Sequence, residues 1–288
     1  MIKLQSALIL AFAMAAGFVN SSRTLSAAPP EPLAQSLIFH APFDGGPDAV
    51  KAADPSIYTA ETLERKSVRP GNHRTDVSIA MGAGKYGDAI RFSDNLPQVL
   101  FFQGSNAGFK KANWSGTVSF WLKLNPDKDL KPGYCDPIQI TDKTWNNAAF
   151  FVDFDKELPR TFRLGVFPDY KSWNPKDTPW EKIEVSERPM VPVANPPFSA
   201  SEWTHVVYTF DNVNATNGSE ATATLYLNGK PQGSLKRPMM FSWDPSTAAI
   251  MIGLSYIGDF DDLAIFDRTL TADEVIVLHG LPDGVGKL

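Results

Sequence analysis

The chain has 288 residues, of which 43% are hydrophobic and 20% charged, with 19 Phe, 7 Tyr and 7 Trp. That much apolar and aromatic side chain supplies a core and excludes an intrinsically disordered protein. The net charge of −5, more negative still without the N-terminal Lys3 and Arg23, argues against nucleic acid as a partner.

Residues 1–28 read as an export signal. Lys3 precedes an unbroken small or apolar run from Ala7 to Val19, and Ser26-Ala27-Ala28 offers the small side chains a signal peptidase requires. The run is shorter than the ~20 residues of a membrane-crossing helix. Cleavage is therefore expected, leaving an exported protein (periplasmic, cell-surface or extracellular) without a transmembrane anchor. Pro29-Pro30-Glu31-Pro32 opens a stiff linker over residues 29–36, and one domain is expected over residues 37–285. Cys135 is the only cysteine. No internal disulfide is possible, so a sizeable core must supply the stability.

After the linker the chain reads as many short strands separated by Gly, Pro and Asn. Val118, Phe120, Leu122 and Leu124 alternate with Ser119, Trp121 and Lys123, the period of a strand with one face on a core. From about residue 125 to 200 the pattern changes to a Pro- and Trp-rich insertion. Proline cannot donate to a sheet ladder, so loops and edge strands are expected there, interleaved with strands over Ala149–Phe154 and Phe162–Phe167. Further on, Leu225 and Leu227 lead into Asn228-Gly229, a hairpin signal because both turn positions need positive φ. Ile250, Ile252 and Leu254 repeat the alternation. Thr271-Ala272-Asp273-Glu274 has capping-box spacing, with Val275 and Leu278 on one face and Gly280 as a stop, which predicts a short C-terminal helix. Strands at this spacing imply an all-β, two-sheet antiparallel jelly-roll sandwich.

Several stretches together resemble the LamG-like jelly-roll family of the concanavalin A-like lectin/glucanase superfamily. Leu37-Ile38-Phe39-His40-Ala41-Pro42-Phe43-Asp44-Gly45 is similar to its opening strand, Gly84-Lys85-Tyr86-Gly87-Asp88-Ala89-Ile90-Arg91-Phe92 to its Gly-Lys-Phe-Gly-x-Ala-Leu-x-Phe segment, and Thr117–Leu122 to the next strand. Trp203–Asp211, the hairpin over Leu225–Lys230 and Gly258–Thr271 match the later pieces in order. The resemblance implies a binding module for glycan or cell-surface polymer, with a structural Ca²⁺ where the first and last strands meet. The acidic positions it suggests are Asp44, Asp54 and Asp261, although Ile57 stands where the family has Gly after Asp54-Pro55-Ser56. Alternation alone places Asp261 on the face of Leu263 and Ile265, where a carboxylate must bind a cation, pair with Arg91 or Arg268, or cap a turn.

Two further constellations stand out. Asp153-Phe154-Asp155-Lys156-Glu157 resembles the Glu-x-Asp-x-Glu strand of laminarinase-type glucanases, and a polysaccharide-cleaving enzyme is the alternative function it supports. On a regular strand Asp153 and Glu157 stand ~13 Å apart, too far for either glycosidase geometry, whereas Asp153 and Asp155 stand ~6.6 Å apart. Trp145, Tyr170, Trp173 and Trp180 of the insertion could stack on sugar faces, or could cover the sandwich as a satellite core. A structural or adhesion role in the cell envelope is the third reading. The four histidines show no metal-ligand spacing, and His205, in Trp203-Thr204-His205, is expected to be packed.

Overall fold

The computed structural model describes residues 33–288, so the expected export signal lies outside the described residues. In chain order the first strands are β1 (Leu37–Ala41), β2 (Tyr58–Ala60), β3 (Arg69–Pro70), β4 (Val77–Ala80), β5 (Ala89–Phe92), β6 (Val99–Gln103), β7 (Trp114–Lys123) and β8 (Cys135–Thr141). There follow β9 (Ala149–Phe154), β10 (Phe162–Phe167), β11 (Met190–Val193), β12 (Thr204–Val213), β13 (Ala221–Leu227), β14 (Lys230–Arg237), β15 (Ala249–Leu254) and β16 (Gly258–Phe266). All pair antiparallel. One sheet runs β14-β13-β12-β7-β16-β5-β4 with β1 also on β16, and the other runs β11-β10-β9-β8-β15-β6-β2-β3. The expected two-sheet jelly roll is what the chain forms.

Alternation builds the core. Val118, Phe120, Leu122, Tyr208, Leu225 and Leu227 of the first sheet pack against Ile138, Phe150, Val152, Leu164, Ile250 and Ile252 of the second in one cluster. The aromatic end of that cluster is edge-to-face: Trp114 meets Phe210 at 4.6 Å between ring centroids and Trp243 at 5.0 Å. Truncating a ring buried this deeply costs ~3–5 kcal/mol. The hairpin at Asn228-Gly229 has φ of +50° and +74°, as its turn type requires. The helix Ala272–His279 carries both capping-box bonds, and Val275 and Leu278 seal it onto Val207, Tyr226 and Phe266 on the outer face of the first sheet.

Three expectations are corrected. Leu254 does not share a face with Ile250 and Ile252 but packs outside with Met251 and Phe101, because Gly253 at φ +69° shifts the alternation by one residue. The Pro-rich stretch supplies an interior strand as well as loops: β8 lies between β9 and β15 with Pro137 inside it. The ladder to β9 is irregular between Cys135 and Ile138, and a proline is tolerated where no ladder bond is asked of it. The last four residues expected in the linker, Leu33–Ser36, form a helical turn instead, and Leu33 joins the cluster under the C-terminal helix.

That outer face also holds a stack. Trp121 lies 4.4 Å from His205 and 5.4 Å from His279, with the Lys85 ammonium 4.7 Å above the Trp121 ring. Burial, then the neighbouring His279 and Lys85, hold the His205 pKa well below the usual histidine range. His205 is therefore neutral in the fold and takes up a proton on unfolding. Its contribution to stability is present above pH ~6.5 and is lost as pH falls below it. The melting temperature should drop between pH 7 and pH 5, and His205→Gln should flatten that drop; equal slopes for the two proteins would contradict the assignment.

Candidate functional site

The outer face of the second sheet is covered only in part: Phe101, Phe151, Phe167 and Met251 on it are buried, Phe151 and Phe167 beneath the Pro-rich insertion. It forms the floor of a groove of about 810 Å³, within the range of small-ligand pockets. The floor follows from alternation: with Phe150, Val152 and Phe154 turned to the core, Phe151 and Asp153 of β9 must face out, and so must Arg163 of β10. Asp153 and Arg163 are direct cross-strand partners. Arg163 donates to Asp153 through Nε at 2.8 Å and through Nη2, and to Asp155 through Nη1 at 3.0 Å. The Tyr134 ring lies 5.1 Å from the guanidinium carbon, so Arg163 is fixed in plane and direction.

Gln139 and Asp136 of β8 complete the polar floor. Burial first, and Asp153 second, push the Asp136 carboxyl well above the ordinary carboxylate range. Its carboxyl accepts no hydrogen bond among the described residues. Trp145 and Trp180 stand at the groove, edge-to-face at 5.5 Å. Trp145 is 41% exposed. Trp180 is stacked from behind by Arg188 at 4.3 Å and packs on Phe167.

The four candidate aromatics thus divide. Trp145 and Trp180 line the groove; Trp173 packs edge-on to Phe167 and donates from its ring nitrogen to the Asn146 carbonyl at 2.9 Å, and Tyr170 donates to Asp177 at 2.6 Å. Trp173 and Tyr170 are braces of the wall. Of the three carboxylates considered for catalysis, Asp153 and Asp155 are both held by Arg163, while the Glu157 side chain is 79% exposed beside Lys156. Sequence reading missed Asp136, Gln139, Arg163 and Tyr134. The signal for Arg163 was present, since it alternates with Phe162 and Leu164, but nothing local shows that this outer face stays open.

The acidic residues near the first and last strands lie elsewhere. A bulge in β16, with Asp262 at φ +51°, breaks the register to β7 between Asp261 and Ala264. Asp261 consequently pairs with Trp121 on the outer face and not with Leu263 and Ile265 in the core, a correction to the simple alternation. Arg91 binds Asp259 and Arg268 binds Glu274, so Asp261 uses neither. It caps a turn: Oδ2 accepts the Lys85 and Tyr86 amides at 2.7 and 3.0 Å, and Oδ1 the Asp262 amide at 2.7 Å. Burial nonetheless pushes its pKa up to about 8. From the other side Asp44 accepts the Asp88 amide at 2.8 Å. Asp54 is remote from this turn in its bonding, accepting Ser56 N–H at 3.0 Å and Tyr58 O–H at 2.9 Å.

Each carboxylate is thus directed at N–H or O–H donors. No group of three or more His, Cys, Asp or Glu among the described residues could hold a metal ion. The expected calcium ligands do not gather in one site: Asp44 and Asp261 each accept amides of one turn, while Asp54 bonds elsewhere. Close approach there depends on glycine, since a Cβ on Gly84 would lie 2.1 Å from the Asp88 carbonyl oxygen and one on Gly87 2.2 Å from Asp44 Oδ1.

Residues 103–276 match a laminin G family model described as the concanavalin A-like lectin/glucanases superfamily. The chain belongs to this superfamily. No curated protein matches the laminin G-like chain in sequence. Among solved structures it is similar to domain 4 of AbnA, a GH43 extracellular arabinanase from Geobacillus stearothermophilus, in complex with arabinotriose: 17% identity, TM-score 0.50, 84% of this chain and 97% of that one. It is also similar to the receptor binding domain of botulinum neurotoxin C/D mosaic serotype, at 12% identity and TM-score 0.55, over 85% of this chain and 51% of that one. The binding domain of Paraclostridial Mosquitocidal Protein 1 follows at 15% and 0.50, over 86% and 52%. The laminin G-like chain spans about half the length of these toxin domains. Such identities show the shared fold. No helix among the described residues is long and apolar enough to cross a membrane.

Gly84→Ala should lower stability by about 1–3 kcal/mol in denaturant melts, because the added methyl meets backbone that cannot step aside. EDTA should leave the melting temperature unchanged; a fall on chelation would restore calcium to the account.

Proposed function

We propose that this laminin G-like domain is an exported, non-catalytic glycan-binding module that holds a saccharide in the groove on the second sheet. The reading is carried by Trp145, an indole exposed at the groove wall above a floor of fixed polar groups. A partly exposed aromatic braced by its neighbours offers a face for the C–H groups of a sugar ring, and the Asp153–Arg163 pair and Gln139 offer acceptors and donors already oriented for hydroxyls. Two observations favour binding over cleavage. Both oxygens of Asp153 are paired with Arg163, which leaves a poor nucleophile, and Glu157 stands at an exposed turn beside Lys156. The saccharide held by the arabinanase domain supports the ligand class, and the apolar run near the start of the chain supports export.

Isothermal titration against soluble neutral oligosaccharides identified by a glycan array is the test. Trp145→Ala should weaken binding at least tenfold, on the scale of ~1–3 kcal/mol known for aromatic stacking on flat ligands, with the melting temperature nearly unchanged because the ring is partly exposed. Binding that is indifferent to Trp145, or reducing ends released by the wild type, would reject the proposal.

A further inference from the structure

The charges on the groove carry a statement about which glycans it takes, and it rests on the groove being the binding site. Two cations lie on the lining, Arg163 and Lys143. All three guanidinium nitrogens of Arg163 donate to Asp153 or Asp155, and Tyr134 covers its plane. The Lys143 ammonium stands 3.2 Å from Asp142 and 3.7 Å from Asp169 and donates to the Ser242 carbonyl at 3.0 Å. Each cation already faces two carboxylates, so neither brings an unbalanced positive charge to the groove. On the acidic side, Glu64 and Glu181 also line the groove, and Asp136 stands on the floor without a hydrogen-bond partner among the described residues.

From this distribution we infer that the groove selects uncharged saccharides and rejects those bearing carboxylate or sulfate groups. An anionic substituent brought to the floor would lie among more carboxylates than cations, in a partly desolvated space where like charges repel strongly. Hydroxyl groups meet no such obstacle. The Asp153 and Asp155 oxygens keep lone pairs directed away from Arg163, Gln139 offers an amide, and Asp136 serves a hydroxyl as donor when protonated or as acceptor when ionised. The raised pKa of Asp136 agrees with a floor that disfavours further negative charge.

The test is affinity electrophoresis of the protein through native gels cast with polysaccharides matched in backbone and differing in charge: β-glucan against carboxymethylated β-glucan, and dextran against dextran sulfate. Salt of about 0.3 M removes long-range repulsion by the negative protein as a whole. At least one uncharged polymer should retard the wild type, its anionic counterpart at least tenfold less, and Trp145→Ala should abolish the difference. The double variant Glu64→Lys with Glu181→Lys changes two exposed side chains and should gain retardation by the anionic polymers. Wild-type retardation that is stronger on an anionic polymer and depends on Trp145 would overturn the charge inference while leaving the groove as the site. Retardation by no polymer, or retardation unaffected by Trp145→Ala, would overturn the groove reading and this inference with it.

Discussion

The cross-strand pair of Asp153 and Arg163 organises the functional face of this protein. It joins β9 to β10 at the one place where their outer faces are polar, and it is nearly buried, with side-chain exposures of 5% and 10%. Removing one partner of such a pair typically costs ~3–5 kcal/mol, because the survivor keeps its charge without a countercharge. The pair adds less to net stability than that figure suggests, since both groups lost water to form it. What it adds is definition: a planar, immobile set of oxygens and nitrogens on a floor shared with Asp136, Gln139, Phe151, Met251 and Leu254.

The aromatic wall depends on the same sheet. Phe151 and Phe167 stack at 5.5 Å on the outer face, and Trp145, Trp173 and Trp180 each pack against Phe167. The Pro-rich insertion is therefore held down by a small core of its own, with Met190 beneath it, and one indole is left at the surface. The loop can be long because it is packed, and a packed loop presents Trp145 at little further entropic cost on binding.

At the opposite sheet, acidic residues do structural work by binding amides. The strand β16 offers one edge to two partners, β5 over Gly258–Phe260 and β1 over Leu263–Phe266, and the bulge at Asp261-Asp262 falls between them. Asp261 closes the turn over residues 84–88, and Asp262 takes His40 Nε2 at 2.6 Å and the Val285 amide at 3.3 Å. First and last strands are thus tied by carboxylates that accept from backbone N–H groups and bond His40.

Local features of the chain determined a good deal by themselves. The alternation of Val118, Phe120 and Leu122, the Asn228-Gly229 turn and the Thr271 capping box each act within a few residues, and each appears as read. The alternation of Phe162 and Leu164 around Arg163 was legible for the same reason. Only the tertiary structure decided that the outer face of the second sheet remains an open groove, that Asp136 lies beside Asp153, and that Asp261 turns away from the core. Those outcomes depend on a bulge, on the register between strands far apart in the chain, and on where the segment over residues 168–189 folds back, and none of these is set by the periodicity of a single segment.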